Sequence, residues 1–251
     1  MTTVTIQNHL SEGKSVRENR DRINKTITPL EPNSRIKEFG LGEIIESPTR
    51  PGIGCIASWI DEGGKQLGIS KIGPARRGIF TRVAKRLKDY GLNIDEGFST
   101  KMENAFTTTL IISGPREKLT QLYQEIIDHP NEEPSGEAPI KQNILDKMLF
   151  IAKNRPGIVA DISQCLNEAN INLATMAIKT KEISDPTNPG QTMTIGIVHT
   201  TIEMTSEDAI QKFEERIRKE APDYSKWHVE IEGKNGKKLL NRCYLSEANF
   251  N

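Results

Sequence analysis

The chain has 251 residues, and its 34 basic and 34 acidic side chains leave a formal net charge of zero. That balance excludes the general electrostatic drive toward nucleic acid or anionic lipid that a strongly basic chain carries. An apolar content of 35% with 19 glycines is ordinary for a globular protein of one or two domains.

Residues 1–64 are polar, carry prolines at 29, 32, 48 and 51, and read as an arm packed against the rest of the chain. A helix is expected around Glu12–Ile23, and Gly52–Ile60 is apolar enough to dock on a neighbouring surface. Residues 65–145 then read as strand (Leu67–Ile72), helix (Ile79–Tyr90), strand (Leu92–Thr100), strand (Ala105–Ile112), helix (Arg116–Ile127) and strand (about Ile140–Ile144). Gly91 closes the first helix as a C-terminal cap, and Met102-Glu103-Asn104 makes a hairpin turn. Residues 146–251 repeat the order: strand (Lys147–Ala152), helix (Ile158–Ala169), strand (Ile171–Thr180), strand (Thr192–Glu203), helix (Ser206–Glu220) and strand (Lys226–Glu232). Ser206 is a good N-cap. Gly233-Lys234-Asn235-Gly236 signals a tight turn, after which Lys237–Leu245 folds back as an extra strand.

The two blocks are copies. With Gly78 set on Gly157, an offset of 79, Ile72 falls on Ile151, Arg76 on Arg155, Leu87 on Leu166 and Asn93 on Asn172. Further on, Phe106–Ile111 resembles Met193–Val198 at an offset of 87, which assigns the second copy an eight-residue insertion within Lys181–Gly190. Each copy is βαββαβ, so the fold class is α+β, with two ferredoxin-like units whose antiparallel sheets carry helices on one face. The strand Met193–Thr200 is apolar on both alternating sets. Its bare face is therefore expected to meet another sheet, within the chain or across a dimer.

The chemistry concentrates at the turn Asn154-Arg155-Pro156-Gly157-Ile158-Val159. A strand delivers a helix N-terminus there, and the first-turn N–H groups have no acceptor inside the helix. A carboxylate suits those groups at Gly157, Ile158 and Val159, and the Asn154 carbonyl suits an ammonium. The same residues also serve as plain architecture, since Asn and Gly make turns and proline is preorganised for a helix start.

With this turn and the βαββαβ plan, the second copy resembles an ACT domain, the small regulatory module that binds amino acids. The first copy resembles a diverged ACT domain, with Pro74-Ala75-Arg76-Arg77-Gly78-Ile79 where the family often has Asp-Arg-Pro-Gly-Ile. The tandem order is similar to the family typified by the glycine cleavage system transcriptional repressor, although the long N-terminal arm departs from it. The resemblance implies a non-catalytic regulatory protein, a homodimer, that binds an amino acid at Asn154–Val159, with Asn172 as a second amide contact. It implies action through a partner such as a transcription regulator. Arg76, Arg77, Gly78 and Ile79 form a degenerate second site, which has either lost its ligand or holds a more anionic one. An ACT fold serving only for oligomerisation is the plainer alternative.

Other classes find less support. An RRM-like RNA-binding module needs aromatic side chains on its central strands, where this chain has Thr107-Thr108-Thr109. No nucleophile–base set or phosphate-type glycine loop points to an enzyme, and Asp161 and Glu168 read as exposed charges. His9, His129, His199 and His228 read as structural or exposed. Arg76, Arg77, Arg82, Lys85, Arg86 and Lys88 read as a solvated helix face. Cys55, Cys165 and Cys243 fit no metal-ligand spacing, and Cys165 reads as a small core residue. No cofactor or metal is expected. Neither a leader nor a spanning helix is visible, so a cytoplasmic setting without membrane association is expected.

Overall fold

The computed structural model describes residues 45–46, 54–102, 105–128, 145–203, 206–233 and 236–243. The helix expected near residues 12–23 and the strand expected near 140–144 lie outside them. So do His9, His129 and the central residues of the two expected tight turns, 103–104 and 234–235.

The described elements run β1 (Ile45–Glu46), β2 (Gly54–Trp59), β3 (Gln66–Pro74), α1 (Ile79–Asp89), β4 (Asn93–Met102), β5 (Ala105–Ser113) and α2 (Arg116–Asp128). They continue with β6 (Leu145–Lys153), α3 (Ile158–Glu168), β7 (Leu173–Ser184), β8 (Thr192–Glu203), α4 (Glu207–Glu220), a 3-10 turn (Tyr224–Lys226), β9 (His228–Gly233) and β10 (Gly236–Asn241). The described strands join one antiparallel sheet in the order β1-β2-β3-β5-β4-β7-β8-β6-β9-β10. The expected α+β class is observed. The main apolar core takes residues from each described helix, from Leu119 on α2 to Phe213 on α4, and Phe213 meets Phe150 edge to face at 5.9 Å. Such aromatic pairs add about 1 kcal/mol beyond their burial.

The duplication is written into the backbone. Gly78 and Gly157, at φ 71° and 91°, both stand as left-handed N-caps. Gly91 (φ 68°) and Asn170 (φ 61°) end α1 and α3 at matching positions. Both ends close by a hydrogen bond reaching five residues back, from Leu92 N–H to Leu87 O (2.9 Å) and from Ile171 N–H to Leu166 O (2.8 Å). A β-bulge falls between Ile94 and Glu96 in one copy and between Leu173 and Thr175 in the other.

The insertion is larger than the sequence alignment gives. Phe98 pairs with Thr109 and its duplicate Ala177 with His199, so the offset on that strand is 90 and the insertion is eleven residues. It lengthens the β7–β8 hairpin. At the tip, hydrogen bonds from Asn188 and Thr187 hold the Asp185 carboxyl at a pKa of about 2.

The first copy departs from the expected unit at its edge. The second half has the order β7-β8-β6-β9, whereas the first has β4-β5-β3-β2. The place beside the first strand is taken by Gly54–Trp59, which the sequence assigns to the arm. The β2–β3 turn is closed by Asp61, whose carboxylate accepts from Lys65 N–H and Gln66 N–H at 2.8 Å each. Trp59 stacks on Tyr123 of α2 with ring centroids 5.8 Å apart. Cys165 is fully buried as expected, and burial pushes its thiol up to about 12.

Candidate functional site

The two halves meet through β4 and β7. Their register pairs Phe98 with Ala177, which are duplicates of each other, so a local dyad passes between them. The helices α1 and α3 pack about the same axis, and Thr81 Oγ1 donates to Ser163 O at 3.1 Å.

The dyad builds two matched crevices. In one, the turn Asn154–Ile158 of the second half faces Asn93 and Ile94 of the first, above Gly196. In the other, Gly78 and Ile79 of the first half face Asn172 and Leu173 of the second. This corrects one expected grouping. Asn172 does not join Asn154. It accepts a hydrogen bond from Lys101 Nζ (2.7 Å) and donates to Glu203 Oε2 (3.0 Å) at the opposite crevice. Its duplicate Asn93 takes the place beside Asn154, and its amide donates to Asp95 Oδ1 at 2.9 Å. The sequence alignment already places Asn93 on Asn172. What it cannot supply is that the halves exchange these residues across the axis.

Gly157 offers no side chain to cap α3, which leaves the first-turn N–H groups without an intrahelical acceptor. Ile158 and Val159 are buried, and Pro156 is exposed. Arg155 is already engaged. Its guanidinium pairs with Asp161 Oδ2 (2.8 Å) and with Asp223 Oδ1 (2.8 Å), and it lies over the Trp227 ring at 5.9 Å. Burial alone would raise the Asp223 carboxyl, but the hydrogen bonds and charge of Arg155 outweigh it and hold the group below the usual carboxylate range. Asp161 is not an exposed charge. It is 2% exposed and also takes Lys88 Nζ of the other half at 2.6 Å. Lys88 is therefore a bridge between halves, and Arg86 of the same helix pairs with Glu125 of α2. Neither belongs to a merely solvated face.

The second crevice is more cationic. Arg77 and Lys101 both line it, together with Phe106. In register, Phe106 stands opposite Gly73 and Gly196 opposite Ala152, so a phenyl ring fills the place that a glycine leaves open in the first crevice. Burial pushes the Lys101 ammonium down to about 8, Glu203 opposes that shift, and Arg77 adds to it. The lysine's folded pKa thus lies below its unfolded value near 10.4, so the unfolded chain binds more protons between about pH 8 and 10.4 and stability rises with pH there. Relative to Lys101→Met, the native chain is expected to gain about 1–2 kcal/mol between about pH 7.5 and 9.5, read by urea unfolding of both. An unchanged difference across that window would mean the ammonium is solvated.

Each crevice encloses about 20 Å³, room for a water molecule and not yet for an amino acid. Among the described residues, no helix is long and apolar enough to cross a membrane.

No family model matches the chain, and no curated protein matches it. Among solved structures it is similar to an aspartate kinase from Synechocystis, at 17% identity and a TM-score of 0.42, over 68% of this chain and 31% of the kinase. The chain therefore spans about a third of that enzyme's length. It is similar to an unknown protein from Galdieria sulphuraria, at 15% identity and a TM-score of 0.28, over 70% of this chain and 98% of the other. A putative glycine cleavage system transcriptional repressor is similar over 71% of this chain and 98% of its own, at 13% identity and a TM-score of 0.25.

Proposed function

We propose that this chain is a non-catalytic regulatory protein of two ACT-like units joined edge to edge, and that it binds an amino acid in the crevice between Asn154 and Asn93. The reading is carried by one observation: the Asn154 turn and the Asn93 strand, from different halves, converge on an uncapped helix N-terminus. A bound carboxylate would take the N–H groups of Ile158 and Val159, and the two amide side chains would take the ammonium. Gly196 leaves the side-chain end open, and Ile94 and Ile158 give it apolar walls. Arg155 and Pro156 shape the turn. At the matched crevice, Arg77, Gly78, Ile79 and Asn172 form the degenerate site, and Arg76 sits just outside it. A cytoplasmic homodimer that signals through a protein partner, such as a transcription regulator, completes the reading.

The 20 Å³ volume favours a second reading, in which the fold serves association alone. A thermal-shift series over the twenty amino acids separates the two. A ligand at a hundred times its Kd is expected to add about 2.7 kcal/mol. The gain should vanish in Asn93→Ala and in Asn154→Ala. Stabilisation by none of the twenty would leave the association-only reading standing.

A further inference from the structure

The junction between the halves has a symmetric backbone, but its side chains are not symmetric. The dyad equates residues across the halves. A Cβ on Gly157 would meet Lys88 at 2.9 Å, and a Cβ on its twin Gly78 would meet Asn167, the twin of Lys88, at 3.5 Å. On the first side of the axis Lys88 Nζ pairs with Asp161 at 2.6 Å. The twin of Asp161 is Arg82, an exposed residue of α1. Charge is therefore divided between the two faces. The first half brings Lys88 and Arg82 to these positions, and the second brings Asn167 and Asp161.

Side-chain size is divided in the same way. On the helix side of the β4–β7 ladder, Gly97 stands opposite Ile178 and Ser99 opposite Met176, and all four are buried. Ile178 is the twin of Ser99, and Met176 is the twin of Gly97. The small residues thus belong to the first half and the large ones to the second. A Cβ on Gly97 would come within 3.1 Å of Ile178 Cδ1 and 2.7 Å of Leu110 Cδ2, so the isoleucine uses the room that the glycine leaves.

Two first-half faces joined about the same axis would set Lys88 against Arg82 twice. They would also set Gly97 against Ser99 twice, leaving holes where Met176 and Ile178 now pack. Two second-half faces would force Met176 against Ile178 twice, in space that now holds a glycine and a serine. We propose that the α1–β4 face of the first half is a heterotypic interaction surface: it takes the α3–β7 face of the second half and rejects another copy of itself, so that chains meet one another through other surfaces. Charge and size carry this separately, and neither depends on a ligand in either crevice.

The test uses the full chain carrying Phe98→Cys and Cys243→Ser, refolded from urea and then oxidised with diamide; Cys55 and Cys165 are buried in the folded chain. When two first halves pair, the register sets position 98 of one copy opposite position 98 of the other, a separation that a disulfide can close. With the native face, almost no dimer linked through position 98 is expected. Adding Ala177→Cys should instead give the bond within one chain, and its failure to form would overturn the register on which the proposal rests. Arg82→Asp offers Lys88 a carboxylate across a first-half pair. It changes an exposed residue, so the fold should persist, and it should raise the linked dimer about tenfold. Adding Ser99→Ile repeats the Gly97–Ile178 contact between copies and should raise it about tenfold again. Ready linkage with the native face would overturn the proposal, and so would a yield that both variants leave unchanged.

Discussion

Asp161→Ala is expected to cost the fold about 2–3 kcal/mol. The carboxylate is 2% exposed and accepts from Lys88 of the first half and Arg155 of the second. Removing one member of a buried ion pair costs about 3–5 kcal/mol, because the partners are left with uncompensated charge. The figure is discounted here because the Lys88 and Arg155 side chains are 44% and 29% exposed, so water recovers part of their solvation. Asp223 also continues to hold Arg155. Urea unfolding at neutral pH reads the loss. A change below about 0.5 kcal/mol would mean that the cluster is decoration on a rigid backbone. The double variant Asp161→Ala with Lys88→Met should recover part of the deficit, since it removes a cation that has lost its partner.

Gly157→Ala is expected to cost about 2–3 kcal/mol and to abolish any ligand effect at the Asn154 crevice. Its φ of 91° lies where an L-residue pays about 1–2 kcal/mol. A Cβ there would also come within 2.9 Å of Lys88 Cδ and Cγ. That stem is flexible, but its ammonium is held by Asp161, so yielding to the new methyl strains the ion pair as well. Gly91→Ala separates the two causes. Gly91 has a similar positive φ of 68° with nothing within 4 Å of its Cβ position. It should cost about 1 kcal/mol, the backbone part alone. Equal losses at the two glycines would remove the steric argument for Lys88.

Local rules make much of this fold legible. Helical spacing locates α1 and α3, and Ser206 caps α4 as read, accepting from Ala209 N–H at 3.2 Å. The strands on either side of the Gly233–Gly236 signal pair as β9 and β10. What escapes the sequence is what depends on tertiary neighbours. Gly54–Trp59 has no mark saying that it pairs with β3, because an edge strand borrowed from upstream looks like any apolar stretch. Asp161 looks exposed because its helical position says nothing of Lys88, 73 residues away. The strand offset is misread because Thr107–Thr109 and Thr194–Gly196 are alike enough to align three residues out of register, and only the hydrogen-bond ladder counts the loop between them. At the site, the turn itself is readable and its partner is not. Asn172 and Asn93 are interchangeable in the alignment, and the exchange follows from the dyad alone.

That exchange bears on how such a chain arises. With Phe98 facing its own duplicate Ala177, the junction is the contact that two identical half-length chains would make as a dimer. A dimer of that kind has two equal sites by symmetry, and no mutation alters one without the other. Fusion into one chain lifts the constraint. Asn154 persists where its twin is Ala75, and Gly196 stays open where its twin is Phe106. Each crevice still borrows an asparagine from the other half, so neither half retains a complete crevice when cut apart, although each is free to diverge while they are joined.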